Sequence, residues 1–170
     1  APVSPVPRRD PGDALLGHVI DGRYRVVTRI GEGGMGTVYK VEHVHIGKFM
    51  ALKLLRKEFC ASADVVRRFR REAQAASRLS NVHTVAVFDF GRSPEGALYI
   101  AMEWVEGENL LALLSKEGPF AWRRVAKIGL QLAVSLTEAH EKGIVHRDLK
   151  PENVMIVRTK EGGEFVKILD

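Results

Sequence analysis

In the segment His146-Arg147-Asp148-Leu149-Lys150-Pro151-Glu152-Asn153, an acid, a base and an amide share one short loop between a predicted helix and a predicted strand. The spacing from Asp148 to Asn153 lets a carboxylate meet a substrate hydroxyl while the amide oxygen turns toward a metal ion. The alternative is a charged turn after a helix, where Asp and Asn are favoured because their side chains bond nearby backbone groups. Because so long a motif is far more specific than a pair of glycines, we favour a site for phosphoryl transfer to a hydroxyl.

A glycine-rich loop lies upstream, in Gly31-Glu32-Gly33-Gly34-Met35-Gly36-Thr37-Val38. Glycine has no Cβ, so the backbone amides of such a loop can approach phosphate oxygens closely. A dinucleotide site would need a helix after the last glycine, whereas residues 37–41 are rich in β-branched and aromatic side chains and predict a strand. An ordinary glycine-rich hairpin is an equally good interpretation of this segment taken alone.

A single lysine interrupts the apolar run Phe49-Met50-Ala51-Leu52-Lys53-Leu54-Leu55, which predicts a buried strand with Ala51 and Lys53 on the same face. A lysine in that position needs a counter-charge. Glu72 is the best candidate, because it lies on the apolar stripe of a helix predicted from about Asp64 to Leu79. We therefore predict a Lys53–Glu72 ion pair; the alternative is two unrelated side chains that extend to solvent.

The order of these four features is itself informative. The glycine loop, the lysine strand, the glutamate helix and the catalytic loop follow one another in that order. In this respect the chain resembles the eukaryotic-type protein kinases, specifically the serine/threonine kinases of bacteria, from about Tyr24 to Asp170. The resemblance implies an α+β fold, with a small lobe of antiparallel β-sheet plus one helix and a larger, mainly helical lobe. It also implies ATP and Mg²⁺ bound between the lobes.

The resemblance assigns a role to each polar residue of these motifs. Lys53 would hold the α and β phosphates, and Glu72 would orient Lys53. Asp148 would position the substrate hydroxyl and accept its proton, while Lys150 would help to neutralise the γ-phosphate. Asn153 would hold Mg²⁺.

The second metal ligand must be chosen between two sites. Asp89-Phe90-Gly91 spells the family's magnesium motif, but it precedes the catalytic loop, so we interpret it as a decoy. The true motif should follow that loop and end a strand, as Val166-Lys167-Ile168-Leu169-Asp170 does. By resemblance, Asp170 is therefore the predicted magnesium ligand.

The resemblance also implies an adenine site, with Met102 as its gatekeeper. Backbone groups of Glu103 and Val105 would be the hydrogen-bond partners of the base. The remaining nucleotide-binding residues comprise apolar side chains and loop glycines: Ile30, Val38 and Ala51 above the base, Met155 below it, and Gly31, Gly33 and Gly36. For each apolar residue the alternative is a place in the hydrophobic core.

The predicted domain organisation has three parts. Residues 1–14 form a disordered leader that contains proline and arginine, residues 15–103 form the kinase small lobe, and residues 104–170 form the hinge and an incomplete large lobe. Because the sequence ends at Asp170, the rest of the family's larger lobe lies outside it. We expect this fragment alone to be inactive.

Composition excludes several other classes of protein. The net charge of +5 is modest, and the densest basic patch, Arg67-Arg68-Phe69-Arg70-Arg71, lies on the same predicted helix as Glu72, so we interpret it as a solvated helix face and predict no nucleic-acid binding. We predict no membrane segment, because Lys127 and Gln131 interrupt the most apolar helix, residues 125–140. Cys60 is the only cysteine, which agrees with a reducing, cytoplasmic compartment.

Two functional hypotheses follow. The first is a serine/threonine protein kinase that transfers the γ-phosphate of ATP to a hydroxyl of a protein substrate in signalling. The second is a truncated, non-catalytic module that binds nucleotide or a partner protein.

Overall fold

A computed structural model of the protein describes residues 13–169. They form two compact units. The first unit runs to Ala73 and adds Val87–Trp104, and the second consists of Gln74–Ala86 and the residues from Val105 onward. Most of the predicted leader and the predicted metal ligand Asp170 lie outside the described residues. The division predicted after residue 103 stays a prediction.

The first unit is built on an antiparallel sheet with the strand order β1-β2-β3-β4-β6-β5. Buried and exposed residues alternate over residues 24–28 of its first long strand, as expected for a pleated sheet with one buried face. The strands are β1 (Val19–Ile20), β2 (Tyr24–Glu32), β3 (Gly36–His43), β4 (Lys48–Leu55), β5 (Val87–Arg92) and β6 (Leu98–Glu103).

Strand register assigns the residues of the central strands to two faces. One face holds a hydrophobic core of buried residues: Ile20, Tyr24, Val26, Tyr39, Val41, Met50, Leu52, Tyr99 and Ala101. The other face includes Lys40 paired with Ala51, and Val38 paired with Lys53. Because side chains alternate along a strand, these four residues lie side by side, away from the core.

Two helices follow β4 in the chain, α1 (Lys57–Cys60) and α2 (Ala63–Ala76). Phe69 and Ala73 are the buried residues of α2. The sequence predicted only α2, and it placed the end of that helix about three residues too late. The amides of Arg78 and Leu79 bond carbonyls three residues back, so the chain tightens into a turn there.

Asp89-Phe90-Gly91 lies within β5, where it is part of the sheet. The Asp89 carboxylate accepts a hydrogen bond from the Tyr24 hydroxyl at 2.8 Å and pairs with the Arg23 guanidinium at 2.9 Å. A Cβ on Gly91 would lie 2.2 Å from the hydroxyl oxygen of buried Tyr99, so this position needs glycine for packing. Within the sheet, Asp89 thus holds Tyr24 and Arg23 through polar contacts, and Gly91 allows the close packing of Tyr99.

The second unit combines helices with a small antiparallel sheet of order β7-β8-β9. Its buried core consists of Leu113, Ile128, Val154, Ile156 and Val166. Its elements are β7 (Glu108–Asn109), α3 (Leu110–Glu117), α4 (Trp122–Glu141), a 3₁₀ turn (Pro151–Asn153), β8 (Val154–Arg158) and β9 (Glu164–Ile168). Within residues 13–169, none of the helices is both long enough and apolar enough to cross a membrane.

Arg124 ties α3, α4 and β9 together. Its guanidinium donates to the Glu164 carboxylate at 2.6 and 2.9 Å and to Glu117 at 2.5 Å. The guanidinium carbon also lies 3.7 Å from the centroid of the Phe120 ring. A planar, bidentate and stacked arrangement of this kind depends on arginine, which lysine does not replace.

Glu138 makes a similar connection from α4 to residues 80 and 81. Its carboxylate accepts hydrogen bonds from the Ser80 amide at 3.0 Å, the Asn81 amide at 2.8 Å and the Lys142 ammonium at 2.6 Å. These donors, Lys142 first, lower the pKa of Glu138 to about 2 from its ordinary value of 4.5. A carboxylate with a lowered pKa stabilises the folded state only while it is ionised.

We therefore predict a pH-dependent loss of stability in the Glu138→Gln variant. Near neutral pH the variant should unfold at a lower temperature than the wild type, because the neutral amide is a weaker acceptor. The difference should shrink as the pH falls from about 4.5 toward about 2, where Glu138 becomes protonated in the folded wild type. Thermal unfolding of both proteins across that range is the measurement. Glu141→Gln, at an exposed position of the same helix, is the control; equal effects from the two variants would contradict the prediction.

Candidate active site

Two hydrogen bonds of the His146 side chain shape the backbone of the catalytic loop. Its Nε2 lies 2.9 Å from the Leu169 carbonyl oxygen, and its Nδ1 accepts the Asp148 amide at 3.3 Å. Both bonds agree with a single neutral tautomer that carries its proton on Nε2. Between them, Arg147 adopts a φ of 64°, a left-handed conformation that is uncommon for a residue other than glycine.

Asp148, Lys150 and Asn153 meet in this loop. The Lys150 ammonium lies 2.9 Å from Oδ2 of Asp148 and 3.2 Å from Oδ1. The Asn153 amide nitrogen donates to the Asp148 carbonyl at 2.9 Å and to its Oδ2 at 3.2 Å. The Asp148 side chain is still 64% exposed, so its carboxylate is accessible to a substrate.

These contacts shift the pKa values of Asp148 and Lys150 in opposite directions. The hydrogen bond from Lys150, with a smaller contribution from Asn153, lowers the pKa of Asp148 below its ordinary value. The same pair raises the pKa of Lys150. Asp148 is therefore an ionised acceptor at neutral pH, and Lys150 stays cationic beside it.

Asn153 also has the chemistry that a magnesium site needs. Its amide nitrogen faces Asp148, so the amide oxygen is turned away from that carboxylate. Amide and carboxylate oxygens are the ligand types that Mg²⁺ prefers. The donor set therefore fits the ion, and Asn153 is the part of the predicted metal pair that lies among the described residues.

In the first unit, the predicted ion pair is present. The Lys53 ammonium, on β4, lies 2.5 Å from the Glu72 carboxylate, on α2. The lysine side chain is 16% exposed and the glutamate side chain 34% exposed, so solvent screens the pair only in part. Lys53 is thus held in one place on the face that also carries Val38 and Ala51.

The glycine loop joins β2 to β3 as a hairpin, as predicted. The Gly33 amide donates to the Gly36 carbonyl at 2.8 Å. A Cβ on Gly36 would lie 2.5 Å from the Leu54 carbonyl oxygen, whereas a Cβ on Gly31 would meet open space. Gly36 is therefore required by packing against β4, and the open backbone of the loop begins before it.

The predicted adenine-binding residues are distributed over both units. Ala51 and Met102 are buried and adjacent in the ladder between β4 and β6. Ile30 is 44% exposed near the end of β2. The other predicted positions are Gly31 on β2, Val38 on β3, Glu103 on β6, Val105 just beyond it, and Met155 on β8.

One link within the second unit was not fully predicted from the sequence. Besides the bond from His146 to the Leu169 carbonyl, the Leu169 amide donates to the Asn153 carbonyl at 2.8 Å, and the sequence did not predict this contact. Backbone groups have no residue-specific signal in a sequence, so no pattern could have revealed it. Together the two bonds attach the end of β9 to both ends of the catalytic loop.

Comparison with known proteins identifies the family. The profile described as "Protein kinase domain" matches residues 24–170. Serine/threonine-protein kinase pkn3 of Myxococcus xanthus is 44% identical over 93% of this chain, and serine/threonine-protein kinase PrkC of Bacillus subtilis is 39% identical over 84%. The crystal structure of the Mycobacterium tuberculosis PknI kinase domain superposes with a TM-score of 0.76 at 33% identity, over 92% of this chain.

The chain aligns with only part of each of these relatives. The aligned part spans 29% of pkn3, 22% of PrkC and 62% of the PknI chain. The match to the kinase profile covers most of the present chain, from the first long strand onward. It confirms the family resemblance and the α+β fold class that the sequence predicted. The chain belongs to the protein kinase domain family.

Proposed function

We propose that the protein is a serine/threonine protein kinase that transfers the γ-phosphate of ATP to a hydroxyl of a protein substrate. The observation that carries the proposal is the Asp148 carboxylate, which is ionised, exposed and bonded to both Lys150 and Asn153. A carboxylate in this state can accept a hydroxyl proton. In a chain of the protein kinase family, that is the group the reaction needs.

The chemical step then has a defined balance. The substrate hydroxyl oxygen forms a bond to the γ-phosphorus, and the bond from that phosphorus to the bridging oxygen of ADP breaks. The hydroxyl proton passes to the Asp148 carboxylate. Lys150, whose raised pKa keeps it cationic, offsets the negative charge on the transferred group.

Lys53 contributes by binding phosphate. A lysine held 2.5 Å from Glu72 has a limited range of positions, so its ammonium is pre-organised for the α and β phosphates. The backbone amides of the loop that contains Gly31 and Gly33 add hydrogen-bond donors for phosphate oxygens. We also propose the adenine contacts given above for Ile30, Val38, Ala51, Glu103, Val105 and Met155.

ATP and Mg²⁺ are the usual nucleotide and metal of this family, and we propose that this protein uses both. Asn153 and Asp170 would hold the ion, which supplies positive charge against the phosphates when bound. The amide oxygen of Asn153 is turned away from Asp148, as such a ligand requires.

The first test of the proposal is the identity of the phosphorylated amino acid. We expect the full-length protein to transfer label from γ-labelled ATP to itself or to a generic protein substrate in the presence of Mg²⁺. Acid hydrolysis should yield phosphoserine and phosphothreonine without phosphotyrosine, in keeping with the names of the relatives. A reaction with excess chelator is the control. Nucleotide binding without transfer to any substrate would instead favour a non-catalytic binding module.

A further inference from the structure

Lys40 occupies an unusual position between two aromatic rings of the first unit. Its ammonium lies 4.4 Å from the centroid of the Phe49 ring and 4.6 Å from that of the Trp104 ring. Both distances are well within the range of cation–π attraction. A flexible lysine side chain is thus restrained by two rings at once, one on β4 and one directly after β6.

Lys40, Phe49 and Trp104 form a cation–π cluster, and strand register places it beside residues proposed to bind the nucleotide. Lys40 pairs directly with Ala51, and Val38 precedes Lys40 by two positions in β3, so all three side chains lie on one face. Val38 in turn pairs with Lys53. Lys40 therefore lies beside Val38 and Ala51, the proposed adenine contacts of these two strands.

Trp104 connects the cluster to the backbone of residues 103–105. Its indole Nε1 is buried and has no hydrogen-bond partner within residues 13–169, so no hydrogen bond of that kind orients the ring. The described contact on its face is the Lys40 ammonium. The groups proposed to bond adenine belong to Glu103 and Val105, the two neighbours of Trp104 in the chain.

We propose that Lys40 is a positioning residue for nucleotide binding. By holding the Trp104 ring, with Phe49 as a second support, Lys40 orients the backbone on either side of Trp104 toward the base. This inference rests on the proposed function, because it assumes that ATP binds to this face. It adds a residue that itself need not touch the nucleotide.

The test compares three lysine variants of the full-length protein. Lys40→Met keeps the length and apolar stem of the side chain but removes the cation, and Lys40→Arg restores a cation that stacks on aromatic rings. Lys48→Met is the matched control, since the Lys48 ammonium lies 4.5 Å from the Phe88 ring centroid on the same sheet. Dissociation constants for ATP are measured by calorimetry, and KM for ATP and kcat are measured with a saturating protein substrate.

We expect Lys40→Met to raise the dissociation constant and the KM for ATP by about three- to tenfold, in line with two cation–π contacts. The kcat should change by less than about twofold, since the reacting groups lie elsewhere. Lys40→Arg should restore most of the affinity, and Lys48→Met should leave it unchanged. Unaltered ATP affinity in Lys40→Met, or equal losses in Lys40→Met and Lys48→Met, would overturn the inference.

A local optical signal separates this mechanism from a general loss of structure. In a Trp122→Phe background, Trp104 is the only tryptophan within residues 1–170, and the difference spectrum against a Trp104→Phe variant isolates its emission in the full-length protein. Its emission without nucleotide should change on Lys40→Met and should not change on Lys48→Met, because only the first variant removes the ammonium from the indole face. Identical emission in the two variants would overturn the inference.

The outcomes also distinguish this inference from the proposed function. If the wild-type protein binds ATP normally and Lys40→Met binds it equally well, only the role of Lys40 is wrong. If the wild-type protein binds no ATP at all, both proposals fail.

Discussion

The Asp148→Asn variant is expected to lose phosphate transfer by about 10²- to 10⁴-fold in kcat, the usual contribution of a positioned base. An amide has nearly the shape of the carboxylate but cannot accept the hydroxyl proton. It also loses the charge that pairs with Lys150 at 2.9 Å. Because the Asp148 side chain is 64% exposed, the unfolding temperature should remain within a few degrees of the wild type.

Asp89→Asn is the control for this experiment, because Asp89 is an aspartate that we interpret as part of a decoy motif, outside the site. Its carboxylate bonds Tyr24 and Arg23 within the sheet, so its replacement should lower the unfolding temperature. Below that temperature, kcat should stay close to the wild-type value. Phosphate transfer by initial rates and thermal unfolding are measured on both variants. Near-normal kcat in Asp148→Asn would exclude Asp148 as the catalytic base, and a comparable loss of kcat in Asp89→Asn would contradict our interpretation of Asp89-Phe90-Gly91 as a decoy.

The second large effect is expected from Lys53→Met, which should lower kcat/KM for ATP by about a hundredfold or more, a typical cost of losing one pre-organised charge. Methionine preserves the buried stem of the side chain, which is only 16% exposed, but it removes the ammonium that Glu72 holds. Initial rates over a range of ATP concentrations are the measurement. Stability should change little, because Glu72 is partly exposed and can be hydrated.

Two further variants show whether the Lys53–Glu72 pair acts as a unit. Lys48→Met removes a lysine from the same strand at an exposed position and should have no comparable effect. Glu72→Gln should reduce kcat/KM by a smaller factor, and combining it with Lys53→Met should add little, since the two side chains are in contact. Fully additive losses would mean that Glu72 does not act through Lys53.

Most of the first unit could be predicted because its sequence patterns are strong. The apolar run around Lys53 and the strand after the glycine loop both lie where the alternation of side chains placed them. The one-turn helix α1 was missed because four residues are too few to show a helical period. The end of α2 was misplaced because the chain changes there from α-helical to tighter bonding, which composition does not reveal.

The candidate site was predictable as a set of chemical groups, and less so as a set of contacts. The ion pair of Lys53 with Glu72 was predicted because a lysine on a buried face requires a counter-charge and one glutamate lay on the matching face of a helix. The bond from the Leu169 amide to the catalytic loop and the stacking of Lys40 against two rings were not predicted. A periodic pattern within a short segment does not reveal a contact with a residue far away in the sequence.

The sequence by itself determined the family, the order of the motifs and the residue types that the chemistry requires, because those are properties of short segments and their spacing. Only the tertiary structure decided which of those residues meet. The registers of the β3–β4 and β4–β6 ladders, in a strand order that places β4 between β3 and β6, bring Lys40 to Ala51 and Ala51 to Met102. The same packing leaves no room for a Cβ at Gly36, beside the Leu54 carbonyl, although the motif marks this glycine only as part of a phosphate loop. The physical reason is that the two-residue period of a strand indicates which face a side chain lies on, whereas its neighbour on the next strand depends on the register of the two strands.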